Sequence, residues 1–327
     1  MSDDKFKVVV IGAGARAEQV IYPSLASLQD VEVAAICDID TARVNKLAEK
    51  YNIKGVYGRT INDYQNMIND VKPYAVFAIG QPNIMYDAWK WCLEQGLNLF
   101  IEKPFGITIH QARSLTYLAE KKRCITQVAF QRRITPIVVK LREECLKRGP
   151  IVHAVCKFYK CMLTPYLDAR DHMMDDCVHS IDTLRWICGG EVVKVDSHTK
   201  RVLTPDINFI SATLHFDNGA TGFLINSWSS GKRIFAVEMH SPGIYVEVEH
   251  ESKGYLYADG DVKGIEYDTK EVAGSDEFYV YTGVQAKCRE FIDCCKNGTL
   301  PSSCFQDAVK TMEVAEIILA QALLAGR

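Results

Sequence analysis

Residues 7–11, Lys-Val-Val-Val-Ile, run straight into Gly12-Ala13-Gly14-Ala15-Arg16-Ala17. An unbroken apolar run of this kind reads as a strand buried on both faces, the type found in parallel sheets sandwiched between helices. The glycines mark a tight turn opening a helix, predicted to reach about residue 28. The pattern then repeats. VEVAAIC (31–37) reads as a second buried strand, and Asp40 and Thr41 offer a cap for a helix to about Tyr51. YAVFAI (74–79) is a third strand, followed by a helix ending near Gln95 and Gly96. LNLFIE (97–102) is a fourth, and residues 108–122 form a helix with Lys121, Lys122 and Arg123 at its end. TQVAF (126–130) returns to strand. Strands separated by helices imply right-handed crossovers and a doubly wound parallel α/β sheet.

Beyond that point the pattern changes. IVHAVCKFYK (151–160) alternates, as a strand with one wetter face does. A helix is expected from about Asp175 to Ile187, closed by Gly189 and Gly190. From Val192 to about Val272 the chain reads as successive strands, with turns at Asp217-Asn218-Gly219, Pro242-Gly243 and Lys253-Gly254. Two last helices, about 281–297 and 305–325, are expected to cover this strand-rich stretch. With 327 residues the chain has room for two domains, read as 1–124 and 125–327.

Composition removes several classes of function. Apolar residues make up 48% and charged residues 24%, which excludes wholesale disorder. A net charge of −3 gives no general attraction to nucleic acid or anionic lipid. The opening MSDDKFK lacks the features of a secretory signal, and the apolar end segment is interrupted by Glu313, Glu316 and Gln321. The chain therefore reads as soluble and cytoplasmic. Its twelve cysteines show neither a C-x-x-C pair nor a zinc spacing, and read as reduced, buried thiols. Lys140, Arg142, Lys147 and Arg148 read as a solvated helix face.

Gly12, Gly14 and Ala17 hold the spacing of the dinucleotide fingerprint, between a strand and a helix. The first makes the turn, the second lets backbone amides approach a pyrophosphate, and the third position needs only a small residue. Ala15 lies in the same turn, and Arg16 could add charge near the phosphates. Asp38 ends the second strand, where a carboxylate binds ribose hydroxyls and repels a 2′-phosphate. NAD is thereby favoured, and nearby Arg43 leaves room for NADP. Gly80, Gln81, Pro82 and Asn83 follow the third strand on the cofactor side.

Glu102-Lys103-Pro104 ends the fourth strand, and Asp175-x-x-x-His179-x-x-Asp182 lies on the later helix. With the glycine turn, these segments make the chain resemble the Gfo/Idh/MocA family over essentially its whole length. The resemblance implies a Rossmann domain and a C-terminal α/β domain with an open, mostly antiparallel sheet. That second domain carries the substrate site and often an oligomer interface, so a dimer or tetramer is expected. It implies that Lys103 touches nicotinamide and substrate, with Glu102 holding the cofactor or positioning Lys103. An ammonium there stabilises developing alkoxide charge. His179 suits a general base and Asp175 would tune it, being four residues away on one helical face, with Asp182 one turn further.

The chain departs from the family where Ala169-Arg170-Asp171-His172 replaces a run of small residues and Cys177 replaces a glycine. These changes fall where a sugar would enter, so Gln131, Arg132, Arg170, His172 and Asp182 are taken as substrate-side residues. Gln131 stands at a common family asparagine; Arg132 and Arg133 either face the cleft too or are solvated. No metal is expected, although His172, Asp171, Asp175, Asp176 and His179 are crowded. The reading is hydride transfer between a secondary alcohol of a sugar, cyclitol or polyol and NAD(P). The alternatives are a dinucleotide-binding sensor without turnover and an enzyme that keeps NAD bound and recycles the hydride.

Overall fold

The structure, a computed structural model, describes residues 5–60 and 62–325; the polar opening residues 1–4 lie outside it. The chain divides into two compact units. The first takes the chain up to Ala129, Phe278–Val280 and Val284–Val309; the second takes Phe130–Glu277, Tyr281–Gly283 and the chain from Lys310 on.

The first unit is built on six strands: β1 (Phe6–Ile11), β2 (Val31–Cys37), β3 (Gly55–Tyr57), β4 (Ala75–Ala78), β5 (Asn98–Ile101) and β6 (Thr126–Val128). They pair in the order β3-β2-β1-β4-β5-β6, every pair parallel. The apolar runs are buried as expected: Val8, Val9 and Val10 of β1 and all of β4 are without exposure. The connecting helices are α1 (Tyr22–Ala26), α2 (Thr41–Tyr51), α3 (Asp63–Val71), α4 (Pro82–Glu94) and α5 (Ile109–Lys122). Asp40 caps α2 by accepting from the Arg43 N–H, and Thr108 caps α5 by accepting from the Gln111 N–H. The strand order reverses between β1 and β4, the switch point at which doubly wound sheets bind ligands beyond their strand ends.

The second unit carries eight strands: β7 (His153–Cys161), β8 (Val192–Lys200), β9 (Phe209–Phe216), β10 (Thr221–Ser227), β11 (Ser229–Ser241), β12 (Ile244–Glu249), β13 (Lys253–Ala258) and β14 (Ile265–Asp268). Their order is β14-β13-β12-β11-β7-β10-β9-β8, antiparallel except for β7 with β10. The buried-intermediate alternation of β7 and β9 matches a sheet with one covered face. Helix α6 (Pro136–Arg148) packs on β11 and β12, and α7 (Val178–Cys188) packs on β7 and β10; α8 (Thr269–Ala273) follows β14.

Four expectations are revised. The Val284–Asn297 helix does not cover the strand-rich sheet. Its buried stripe Val284, Cys288, Phe291 and Ile292 joins the core of the first unit, with Phe291 edge-on to Phe77 and Phe100 at 5.4 and 5.6 Å. The division into 1–124 and 125–327 accordingly differs from the compact units, because the chain returns to the first sheet near its end. Lys253 and Gly254 are not a turn but the start of β13, the turn lying at 250–252. Gly254 is small because α6 approaches there: a Cβ would lie 2.7 Å from Leu141 Cδ1 and 3.0 Å from the Glu247 carbonyl. Arg142 is not simply solvated; its Nε donates to the Ile187 carbonyl at 3.2 Å and its guanidinium lies 4.5 Å from the Trp186 ring centroid.

The cysteines behave as small apolar residues: nine of the twelve are buried, and all are free thiols. Burial pushes Cys92, Cys156 and Cys288 up to about 12. No helix among the described residues is long and apolar enough to cross a membrane.

Candidate active site

In the first unit the glycine turn has the conformation its spacing predicts. Gly12 has φ +113°, and a Cβ there would sit 2.0 Å from the Ile79 carbonyl oxygen, so only glycine fits between β1 and β4. Gly14 is different: a Cβ would meet nothing within 4 Å. Its smallness is not needed by the protein's own packing; it leaves open space at the backbone of the turn, the room a pyrophosphate needs. Ala17 is fully buried, as the third, small position requires. The helix then begins with a π-helical turn, Ala17–Ile21.

Asp38 faces this turn. Its Oδ2 accepts the Ala13 N–H at 2.6 Å and its Oδ1 accepts the Asp40 N–H at 2.9 Å. A carboxylate has about four acceptor sites, so about two remain beyond these bonds. Arg43 pairs with Asp40 at the surface, Nε to Oδ2 at 3.1 Å.

Arg16 donates from Nε to Glu102 Oε1 at 3.0 Å, across 86 residues. It therefore has a carboxylate partner, and Glu102, only 6% exposed, has a guanidinium rather than solvent beside it. Lys103 follows directly, half-buried, and joins Pro104 through a cis peptide bond. Phe105 anchors the segment, fully buried on Phe305 at 4.2 Å. Gly80-Gln81-Pro82-Asn83 turns from β4 into α4, with Pro82 buried at the first helical position and Gln81 and Asn83 exposed. The cofactor-side residues expected from the sequence thus all lie beyond the carboxyl ends of β1, β2, β4 and β5.

In the second unit a π-helical turn, Met173–Cys177, leads into α7. π-turns inside helices occur often at functional sites. Asp175 sits in this turn and His179 on the first turn of α7, 5% exposed and edge-on to Phe130 at 6.1 Å. Asp175 Oδ1 meets Arg170 Nη1 at 2.8 Å, and its Oδ2 accepts from the Tyr166 hydroxyl at 3.0 Å.

Several substrate-side expectations take on structural partners. Asp182 is 1% exposed and bonded to Arg133, itself 2% exposed, with Nε to Oδ2 at 2.9 Å and a second bond from Nη2. It is an ion pair inside the unit, and Arg133 is therefore not solvated. His172 is 2% exposed, stacked between Tyr166 and Trp228, and burial lowers its ionisation. Arg170 is braced between Asp168 and Asp175. Arg132 lies 3.7 Å from the Phe235 centroid and 4.9 Å from that of Phe158; burial brings its ionisation down to about 10. Gln131 is buried on the 3-10 turn that starts at its own position. Among the described residues no group of three or more His, Cys, Asp or Glu is arranged to hold a metal.

Sequence reasoning missed Tyr166, Trp228 and Lys160. Asp176 accepts from Trp228 Nε1 at 3.0 Å and pairs with Lys160. Trp228 is 52 residues from Asp176, a pairing that no local pattern announces.

Residues 6–130 match the model of an oxidoreductase family with an NAD-binding Rossmann fold, and residues 152–241 match the GFO/IDH/MocA C-terminal domain. The chain belongs to the Gfo/Idh/MocA family. An uncharacterized oxidoreductase, YrbE of Bacillus subtilis, is 25% identical over 230 residues, covering 67% of this chain and 66% of that protein. D-glucoside 3-dehydrogenase of Escherichia coli is 27% identical over 210 residues, covering 61% of this chain and 59% of that protein. The match thus spans under two thirds of either relative's length. In fold, a dehydrogenase from Chromobacterium violaceum superposes with a TM-score of 0.88 at 21% identity, over 99% of this chain and 97% of that one.

Proposed function

We propose that this Gfo/Idh/MocA member is an NAD-dependent oxidoreductase that moves a hydride between a secondary alcohol of a sugar, cyclitol or related polyol and nicotinamide. The observation that carries the reading is the glycine turn. Gly14 opens space at its backbone, and Asp38 is pinned across it with acceptor sites to spare. These residues fit a dinucleotide. Backbone amides at Gly14 and Ala15 would face the pyrophosphate at the positive end of a helix. Asp38 would take the ribose hydroxyls, and its charge disfavours a 2′-phosphate. Gln81 and Asn83, exposed beyond β4, would line the cofactor's other side.

When bound, NAD supplies the nicotinamide C4 that accepts the hydride. The chain's own residues handle the proton and the charge. His179 takes the proton from the substrate hydroxyl. Lys103 stabilises the oxygen as negative charge develops on it. Asp175, as a carboxylate, favours the imidazolium that results. Gln131, Arg132 and Arg170 contribute to substrate choice. The sugar or cyclitol class is supported by the relative named D-glucoside 3-dehydrogenase. The face proposed for self-association is that of the second sheet, which carries a ladder of half-buried rings: His153 on His240 at 3.9 Å, His240 on Tyr245 at 4.7 Å, Tyr245 on Tyr257 at 5.6 Å.

A panel of sugars and cyclitols, followed at the NADH absorbance with NAD and with NADP, tests the activity. His179→Ala and Lys103→Ala should each lower kcat by about 100-fold or more, the scale of general acid–base catalysis, with NAD affinity little changed. Unchanged turnover in both variants would refute the assigned roles. Tight NAD binding without turnover on any substrate would favour the sensor alternative.

A further inference from the structure

The loop that joins β7 to the Met173–Cys177 turn closes on Asp175. Each oxygen of that carboxylate has its own donor: the Tyr166 hydroxyl on Oδ2 at 3.0 Å and Arg170 Nη1 on Oδ1 at 2.8 Å. Arg170 is braced in turn by Asp168, Nη2 to Oδ2 at 3.1 Å. Tyr166 is fixed more firmly still. Its ring stacks on His172 with centroids 4.6 Å apart and planes at 20°, and His172 stacks on Trp228 at 4.3 Å and 21°. Its backbone N–H donates to Asp206 Oδ2 at 2.7 Å. The next residue, Leu167, is 92% exposed, and the one after it, Asp168, is tied back by the Ala169 N–H at 2.6 Å.

Taking Asp175 and His179 as active-site residues, we propose that Tyr166 and Arg170 are positioning residues for the reaction. They hold Asp175 as an oriented carboxylate, and the Tyr166–His172–Trp228 stack fixes where the hydroxyl points. Two donors on one carboxylate favour its charged form and remove its rotational freedom. The phenol stays a neutral donor, because burial and then the charge of Asp175 push its ionisation up. Within the segment that departs from the family pattern, Ala169 to His172, Arg170 and His172 supply part of this support.

Other charges lie on the elements around this carboxylate. Asp168 and Arg170 come from the loop, and Asp171 and Asp176 lie on the Asp175 segment, Asp176 paired with Lys160 of β7. Asp206 acts from the neighbouring loop through His172, whose ionisation burial lowers. His179 follows on α7. Removing the Tyr166 hydroxyl leaves all of these in place.

The test compares wild type, Tyr166→Phe, Arg170→Lys and Tyr166→Leu, each checked for folding by near-UV circular dichroism. Kinetics are measured against pH, and the Asp175 carboxyl carbon is titrated by NMR, its signal assigned with Asp175→Asn. Tyr166→Phe keeps the ring on His172 and loses only the hydroxyl. It should lower kcat about 10- to 100-fold with KM nearly unchanged, the range of one charge-assisted hydrogen bond. The Asp175 midpoint and the acidic limb of the rate profile should both move to higher pH, because the charged form has lost a donor. Arg170→Lys should shift both the same way. Tyr166→Leu should show the same kinetic defect and a lower Tm besides. An unmoved limb and an unmoved midpoint in Tyr166→Phe would overturn the proposal. If wild type turns over no substrate, the functional reading fails by itself, and the Asp175 midpoint alone decides whether Tyr166 holds the carboxylate.

Discussion

Asp38→Asn separates the two duties assigned to this carboxylate. In the turn, its two oxygens accept two different amides, Ala13 at 2.6 Å and Asp40 at 2.9 Å. Asparagine offers one carbonyl oxygen, so its NH2 group must face one of those N–H donors. The loss of one charge-assisted bond is about 1.5–3 kcal/mol. In a chain of this size that lowers Tm by several degrees, at roughly 2–4 °C per kcal/mol. If the carboxylate also binds ribose hydroxyls, the same range applies again to the cofactor. The Kd for NAD should then rise about 10- to 150-fold, at tenfold per 1.4 kcal/mol. NADP should respond differently, because a charge that repels its 2′-phosphate has gone; its Kd should hold steady or fall. The assay is calorimetric titration of both dinucleotides into both proteins, alongside melting without ligand. A lower Tm with unchanged NAD and NADP affinities would mean that Asp38 only locks the turn. Equal weakening of both dinucleotides would refute the ribose-specific contact.

Two further outcomes are expected. Phe291→Ala removes a ring that sits edge-on to Phe77 and Phe100 in the first core and should cost about 3–5 kcal/mol in urea unfolding; a loss below about 1 kcal/mol would contradict the placement of the Val284–Asn297 helix. His250, buried edge-on to Phe235, is brought down to about 3 by burial and then by the charge of Arg132. Its folded pKa lies below the unfolded value of about 6.5, so the unfolded chain binds the extra proton. Its contribution is fully present above pH 6.5 and is lost progressively as pH falls toward 3. His250→Phe should therefore lose less stability than wild type between pH 7 and 4 in urea titrations; parallel curves would show that His250 does not titrate on unfolding.

The strand–helix alternation of the first unit was legible because each signal is local. Three consecutive valines in β1, a capping Asp40 and a glycine at the turn each act within a few residues. The glycine turn was legible for the same reason, since Gly12, Gly14 and Asp38 lie at the ends of adjacent strands. The departures arise where partners are remote. Glu102 pairs with Arg16 across 86 residues, and Asp182 pairs with Arg133 across 49. A charge in sequence looks the same whether it meets solvent, substrate or a buried counter-charge. The Val284–Asn297 helix shows the same limit: its apolar stripe announces burial but not which sheet it covers.

The helix carrying Asp175, His179 and Asp182 shows how spacing alone leaves the partners of such residues open. Positions four and three apart share a face only while the helix keeps 3.6 residues per turn. Here Asp175 lies within a π-turn, whose i→i+5 bonds place one extra residue in the turn, and His179 and Asp182 lie in α-helix beyond it. Asp182 turns to Arg133 and Thr311 inside the unit, while Asp175 turns to Tyr166 and Arg170 of the preceding loop. The two carboxylates have opposite exposure to change as a result. Asp182 is locked with a buried cation, and removing it would strand that charge at a cost of about 3–5 kcal/mol. Asp175 is held by a loop whose next residue is almost fully exposed. A substitution that removes only the Tyr166 hydroxyl leaves its ring on His172 in place, and so is expected to change Asp175 with little effect on packing.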